Sequence, residues 1–72
     1  MTITIEYCVR WNYEPTALRA REQINKLTDA SIELIPGANG VFEISIDGEK
    51  RFSKKQLGRF PTDAEIADIF SN

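Results

Sequence analysis

Asp47-Gly48 constrains this chain more than any other pair of residues, because it stands between two β-rich runs within Val41 to Phe52 and accepts the left-handed backbone of a tight hairpin turn. Upstream, Ile3, Ile5 and Tyr7 alternate with Thr2, Thr4 and Glu6, the period of two expected of a strand. From Glu14 the period lengthens. Pro15 suits a first helical turn, and Ala17, Ala20, Ile24 and Leu27, widened by Leu18, line one stripe of a helix running from about Pro15 to Leu27. A second alternating segment, Ser31 to Ile35, is expected to stop at Pro36-Gly37. Residues 53 to 61 hold no period and include Gly58 and Pro61, so they read as a connecting loop. A last helix announces itself by Thr62 and Glu65, a capping box, with Pro61 and Ile66 placed as its staple. Ile66, Ile69 and Phe70 supply its buried face, and Asp63 and Glu65 suit the positive end of its dipole.

The order strand, helix, strand, hairpin, helix predicts an α/β (α+β) domain of β-α-β-β-β-α topology with a four-stranded mixed sheet. The strand-helix-strand unit requires a right-handed crossover, which makes its two strands parallel. With 72 residues the chain is one small domain, 1–72, and hardly covers both faces of a sheet, so both helices are expected on one face.

Composition narrows the chemistry. The chain has one cysteine and no histidine, which removes the intrachain disulfide, the Ser-His and Cys-His pairs, and the commonest metal ligand. Zinc would need four nitrogen, sulfur or carboxylate ligands, so no metal and no cofactor is expected. A net charge of −2 offers no global attraction to nucleic acid or anionic lipid. No apolar run approaches the ~20 residues of a membrane span, and MTITIEYC lacks the pattern of a signal peptide; a soluble, cytoplasmic protein is the expectation.

What chemistry remains lies at the end of the first strand, where Tyr7-Cys8-Val9-Arg10-Trp11-Asn12 leads into the first helix. A thiol there faces orphan helix N–H groups and the positive dipole end, and Arg10 adds charge; all three favour the thiolate. A lone cysteine is as readily a small buried hydrophobe. The run Tyr7-Cys8-x-x-Trp11-Asn12-Tyr13, then Pro36-Gly37, Gly40-Val41-Phe42-Glu43-Ile44, Asp47-Gly48-Glu49 and Gly58-Arg59-Phe60-Pro61, resembles the selenoprotein W-like family, also called the Rdx family. The resemblance spans nearly the whole chain. It implies a thioredoxin-like fold with a Cys-x-x-Cys or Cys-x-x-selenocysteine pair between the first strand and helix, thiol redox work, and glutathione or a thiol-containing protein as partner.

This chain departs from that pattern at the second redox position, three after Cys8, which is Trp11. Without a second thiol to resolve a mixed disulfide, any redox role becomes a monothiol one. Two readings stay open. In the first, Cys8 is the redox thiol and Arg10 helps to stabilise its thiolate. In the second, Cys8 is packing and the fold is a non-catalytic interaction module. Trp11 and Tyr13 read as an aromatic platform near the thiol for a partner or substrate, or as a strand-helix corner packed for stability. Lys50, Arg51, Lys54, Lys55 and Arg59 gather five of nine basic residues into ten positions. They read as a solvated, lysine-guarded edge or, at Lys54, Lys55 and Arg59, as a docking patch.

Overall fold

The computed structural model describes residues 1–70. Strands β1 (Thr2–Cys8), β2 (Ser31–Gly37), β3 (Phe42–Ile46) and β4 (Glu49–Ser53) form one mixed sheet in the order β2-β1-β3-β4. β1 pairs with β2 in parallel, and the β1–β3 and β3–β4 pairs are antiparallel. Helix α1 (Glu14–Asn25) makes the crossover from β1 to β2, and α2 (Lys54–Leu57) and α3 (Asp63–Ile69) follow the hairpin. No described helix is long and apolar enough to cross a membrane.

The alternation read along β1 is the alternation of burial. Ile3, Ile5 and Tyr7 face the core with Phe42, Ile44, Ile46 and Phe52 from the hairpin, and α1 and α3 close it with Ala17, Ala20, Ile24 and Ile66. The other sheet face carries Thr4, Glu6, Glu43 and Ser45. Asp47 and Gly48 both take positive φ, 50° and 84°, the combination of a type I′ turn, and Ile46 faces Glu49 across it. Asp47 is tied further: its Oδ1 accepts from the Thr2 N–H at 2.8 Å, and its own N–H donates to the Thr2 carbonyl at 2.8 Å.

Three boundaries differ from the sequence reading. The loop expected over residues 53–61 contains α2, a single turn capped by Ser53, whose Oγ accepts from the Gln56 N–H at 3.3 Å, and closed by Gly58 at φ 74°. β2 continues through Pro36-Gly37, because on an edge strand a residue without an N–H loses no ladder bond when that group would face outward. α1 ends at Asn25, and Leu27 closes a last turn to Ile24 with its side chain exposed, so it does not extend the buried stripe; Leu18 is exposed as well. The capping box at Thr62 and Glu65 is present in full.

Candidate functional site

Cys8 is the last residue of β1, and its surroundings follow from the topology. β2 and β3 lie on opposite sides of β1, yet only residues 38–41 connect them, so this link crosses the end of β1 at Cys8. Both ends of the crossing are bonded there: the Cys8 N–H donates to the Val41 carbonyl at 2.9 Å and the Val9 N–H to the Gly37 carbonyl at 3.3 Å. Cys8 is 0% exposed, and it stands outside the main core cluster, on the parity of Glu6 and Thr4.

Residues 9–13 turn the chain from β1 into α1. The Asn12 N–H donates to the Val9 carbonyl at 3.0 Å, Asn12 takes φ 58°, and the Tyr13 N–H donates to the Cys8 carbonyl at 3.0 Å. Tyr13 occupies the N-cap of α1 without a side-chain cap bond. Arg10 stands on this turn, exposed.

Trp11, three residues after Cys8, is 59% exposed yet has a fixed seat. Its ring lies against Gly40 so closely that a Cβ there would stand 2.6 Å from Trp11 Cζ3. It meets Tyr13 edge-on at 6.1 Å between centroids, Tyr13 meets Phe60 at 4.7 Å, and Phe60 meets the buried Phe42 at 5.3 Å. A chain of rings thus runs from the solvent-facing corner into the core, and Lys54 Nζ sits 5.4 Å from both the Tyr13 and Phe60 centroids. Val9 is exposed beside this corner.

The five basic residues of 50–59 are mostly engaged internally. Lys50 pairs with Glu43 at 3.2 Å, Arg51 with Glu49 at 3.2 Å, and Arg59 forks onto both carboxylate oxygens of Glu65, its second bond 2.8 Å long. Lys54 lies over the rings, so of these five Lys55 alone has no ammonium partner among the described residues. The structure brings Lys54 to the Trp11 corner through Tyr13, and turns Arg59 instead to the capping box of α3.

Sequence reasoning missed Glu43, which is 4% exposed on the sheet face away from α1 and α3. Burial raises its carboxyl pKa, but the Ser53 hydroxyl bond, the Lys50 ammonium and the Lys55 backbone N–H outweigh it and hold the group below its ordinary value. Ser53 Oγ donates to Glu43 Oε1 at 2.7 Å while capping α2, so one hydroxyl joins the sheet to that helix. The only signal was an acid between Phe42 and Ile44, which reads as solvated until β4 is laid beside it. Phe60 was also missed as a member of the corner, which the sequence had placed at Trp11 and Tyr13.

A cleft of about 240 Å³ lies between α1 and α3, floored by Phe42, Phe60 and Ile66, and Gln23 Nε2 donates to Asp63 Oδ1 at 2.7 Å beside it. Cys8 is not among its lining residues. No group of three or more His, Cys, Asp or Glu among the described residues is arranged to hold a metal ion.

A small mixed sheet with its thiol at the end of β1, ahead of the crossover helix, defines a thioredoxin-like domain of the redox-associated kind. The chain belongs to the Rdx family, whose family model matches residues 2–72. It is similar to Migration and invasion enhancer 1 of Bos taurus and of Mus musculus, 33% identical over 67 residues, which is 92% of this chain and 58% of theirs. The chain therefore spans little more than half the length of these relatives. Among solved structures it is similar to a selenoprotein W-related protein from Vibrio cholerae, with a TM-score of 0.83 at 24% identity, covering 96% of this chain and 95% of that one. A protein from Bordetella parapertussis superposes with a TM-score of 0.80 at 27% identity, over 93% of this chain and 89% of that one.

Proposed function

We propose that this member of the Rdx family works as a non-catalytic interaction module, with the Trp11 corner as its contact surface and Cys8 as a packing residue. The observation that carries this reading is the complete burial of the only thiol, with an aromatic residue at the position where the family places the second redox group. A buried, unpartnered thiol presents no nucleophile, and Trp11 resolves no mixed disulfide. The corner has the anatomy of an anchor: a large ring held by Gly40 and Tyr13, with Val9 exposed nearby and Lys54 over the adjoining rings.

A second reading, a monothiol redox protein linked to glutathione or a thiol-protein, is favoured by family membership and by the position of Cys8 just before α1. In that reading the Cys8 thiolate attacks oxidised glutathione, a protein–glutathione disulfide forms, and glutathione thiolate leaves. Arg10 is the nearest cation along the chain to support the Cys8 anion. Incubation of the native protein with oxidised glutathione, read by intact mass, separates the two. The module reading expects no adduct under conditions where the unfolded chain is modified; a stoichiometric adduct on the folded protein overturns it in favour of the monothiol.

A further inference from the structure

Residues 38–41 carry β2 over to β3 in a single turn. Asn39 and Gly40 both take positive φ, 60° and 73°, and the Val41 N–H donates to the Ala38 carbonyl at 3.4 Å, the pattern of a type I′ turn with Asn-Gly at its centre. Asn-Gly is also the dipeptide whose main chain most readily attacks its own side chain, because glycine puts no Cβ in the way of the approaching nitrogen. Three asparagines lie among the described residues, and the other two are held back. Asn12 precedes Tyr13, whose N–H is bonded to the Cys8 carbonyl at 3.0 Å, and Asn25 belongs to α1. By contrast, the Gly40 N–H and the Asn39 side-chain amide have no hydrogen-bond partner among the described residues, and Asn39 is exposed. The hairpin turn at Asp47-Gly48 is pinned where Asn39 is not: Asp47 Oδ1 accepts from the Thr2 N–H at 2.8 Å, and a carboxylate is a poorer electrophile than an amide.

We propose that Asn39 is a site of spontaneous covalent modification, converted to isoaspartate through a succinimide, and that the conversion unseats Trp11. The Gly40 nitrogen loses its proton to solvent hydroxide and bonds to Asn39 Cγ; the Cγ–Nδ2 bond breaks and ammonia leaves. Water then opens the five-membered ring. Addition at Cγ gives aspartate, and addition at the Asn39 main-chain carbonyl gives isoaspartate, whose chain runs on through Cβ and Cγ. One water is consumed and one ammonia released, with no change of oxidation state. Trp11 sets the pace of this step, because the Gly40 backbone lies so close under the indole that a Cβ would stand 2.6 Å from Cζ3. Ring closure rotates the Asn39–Gly40 peptide out of the type I′ arrangement, and the seated indole resists that rotation. After conversion, one more methylene in the main chain and a free carboxylate beside it destroy the two-residue turn, and Gly40 no longer floors the ring. That the loss of this seat turns off partner contact rests on the interaction-module reading; the chemistry and the release of the ring do not.

The test is incubation of the folded wild type and Trp11→Ala in mildly alkaline buffer at physiological temperature, sampled over weeks beside the urea-unfolded chain and read by peptide mapping that separates aspartate from isoaspartate. Position 11 is exposed, so Trp11→Ala folds, which circular dichroism checks. The expected result is a gain of about 1 Da at Asn39, with isoaspartate among the products, and a rate about threefold or more higher in Trp11→Ala. The isoaspartate form, isolated by ion exchange, is expected to show red-shifted emission from the single tryptophan, while Asn39→Asp, which adds the charge without lengthening the chain, keeps the wild-type spectrum. A folded wild type that stays unmodified while the unfolded chain converts overturns the site. Equal rates in wild type and Trp11→Ala, or an isoaspartate form with the wild-type spectrum, overturn the link to Trp11. None of these readouts involves a partner or the thiol, so the interaction-module reading stands or fails separately.

Discussion

Gly40→Ala tests the seat of Trp11. Gly40 holds φ +73°, where a Cβ costs roughly 1–2 kcal/mol by backbone strain alone. The new methyl would also stand 2.6 Å from Trp11 Cζ3 and 2.9 Å from Cε3, so something must yield. With the indole 59% exposed, the ring moves rather than the backbone. In moving it gives up its contact with residue 40 and its edge contact with Tyr13, the latter worth about 0.5–1.5 kcal/mol. The summed cost is about 1.5–3.5 kcal/mol, or some 6–28 °C in Tm at roughly 4–8 °C per kcal/mol for a domain this small. In a Trp11→Ala background only the strain remains, about 1–2 kcal/mol. Urea unfolding of the wild type, both single variants and the double variant gives the coupling energy, expected at about 0.5–1.5 kcal/mol with a matching change in Trp11 fluorescence in Gly40→Ala. Equal cost of Gly40→Ala in both backgrounds would refute the argument, because the indole would then not be seated on residue 40.

Three further outcomes follow from the same contacts. Ser53→Ala removes both the bond to Glu43 and the cap of α2, and is expected to destabilise by about 1–3 kcal/mol in urea unfolding, with the Lys54–Leu57 amides exchanging faster. Glu65 is held at about 2, below its ordinary 4.5, first by the Arg59 fork and then by the Thr62 N–H, so its stabilisation is complete above pH 4.5 and is lost as pH falls toward 2. The Tm difference between wild type and Glu65→Gln is therefore expected to shrink over that interval. Trp11→Cys is expected to form an intramolecular disulfide with Cys8 on oxidation, seen as the loss of both free thiols; failure would mean that the 9–12 turn is shaped differently from the Cys-x-x-Cys turn that the resemblance implies.

The parts of the fold legible in the sequence are those set by local chemistry. Asp47-Gly48 demanded a left-handed pair and is one; Thr62 and Glu65 cap each other within four residues of chain. A single turn such as α2 is too short to show a period, and its signals were single residues, Ser53 at one end and Gly58 at the other. Which strand lies at an edge depends on the whole sheet, so Pro36-Gly37 looked like a stop although β2 runs through it. The basic run looked like a free patch because Glu43 and Glu65, which hold Lys50 and Arg59, lie outside it in sequence. Cys8 was found as the candidate from its neighbours, but its burial arises from the 38–41 crossing, a feature of topology that no local pattern carries.

The most direct test of the interaction-module account is the labelling of Cys8 by iodoacetamide in the native protein, followed across a urea titration. A sealed thiol reacts only through opened molecules, so the labelling rate is expected to be suppressed in water and to rise with urea in step with the opening equilibrium. Labelling of the folded protein at the rate of the unfolded chain, unchanged by urea below the transition, would contradict the account and return Cys8 to the role of an active monothiol.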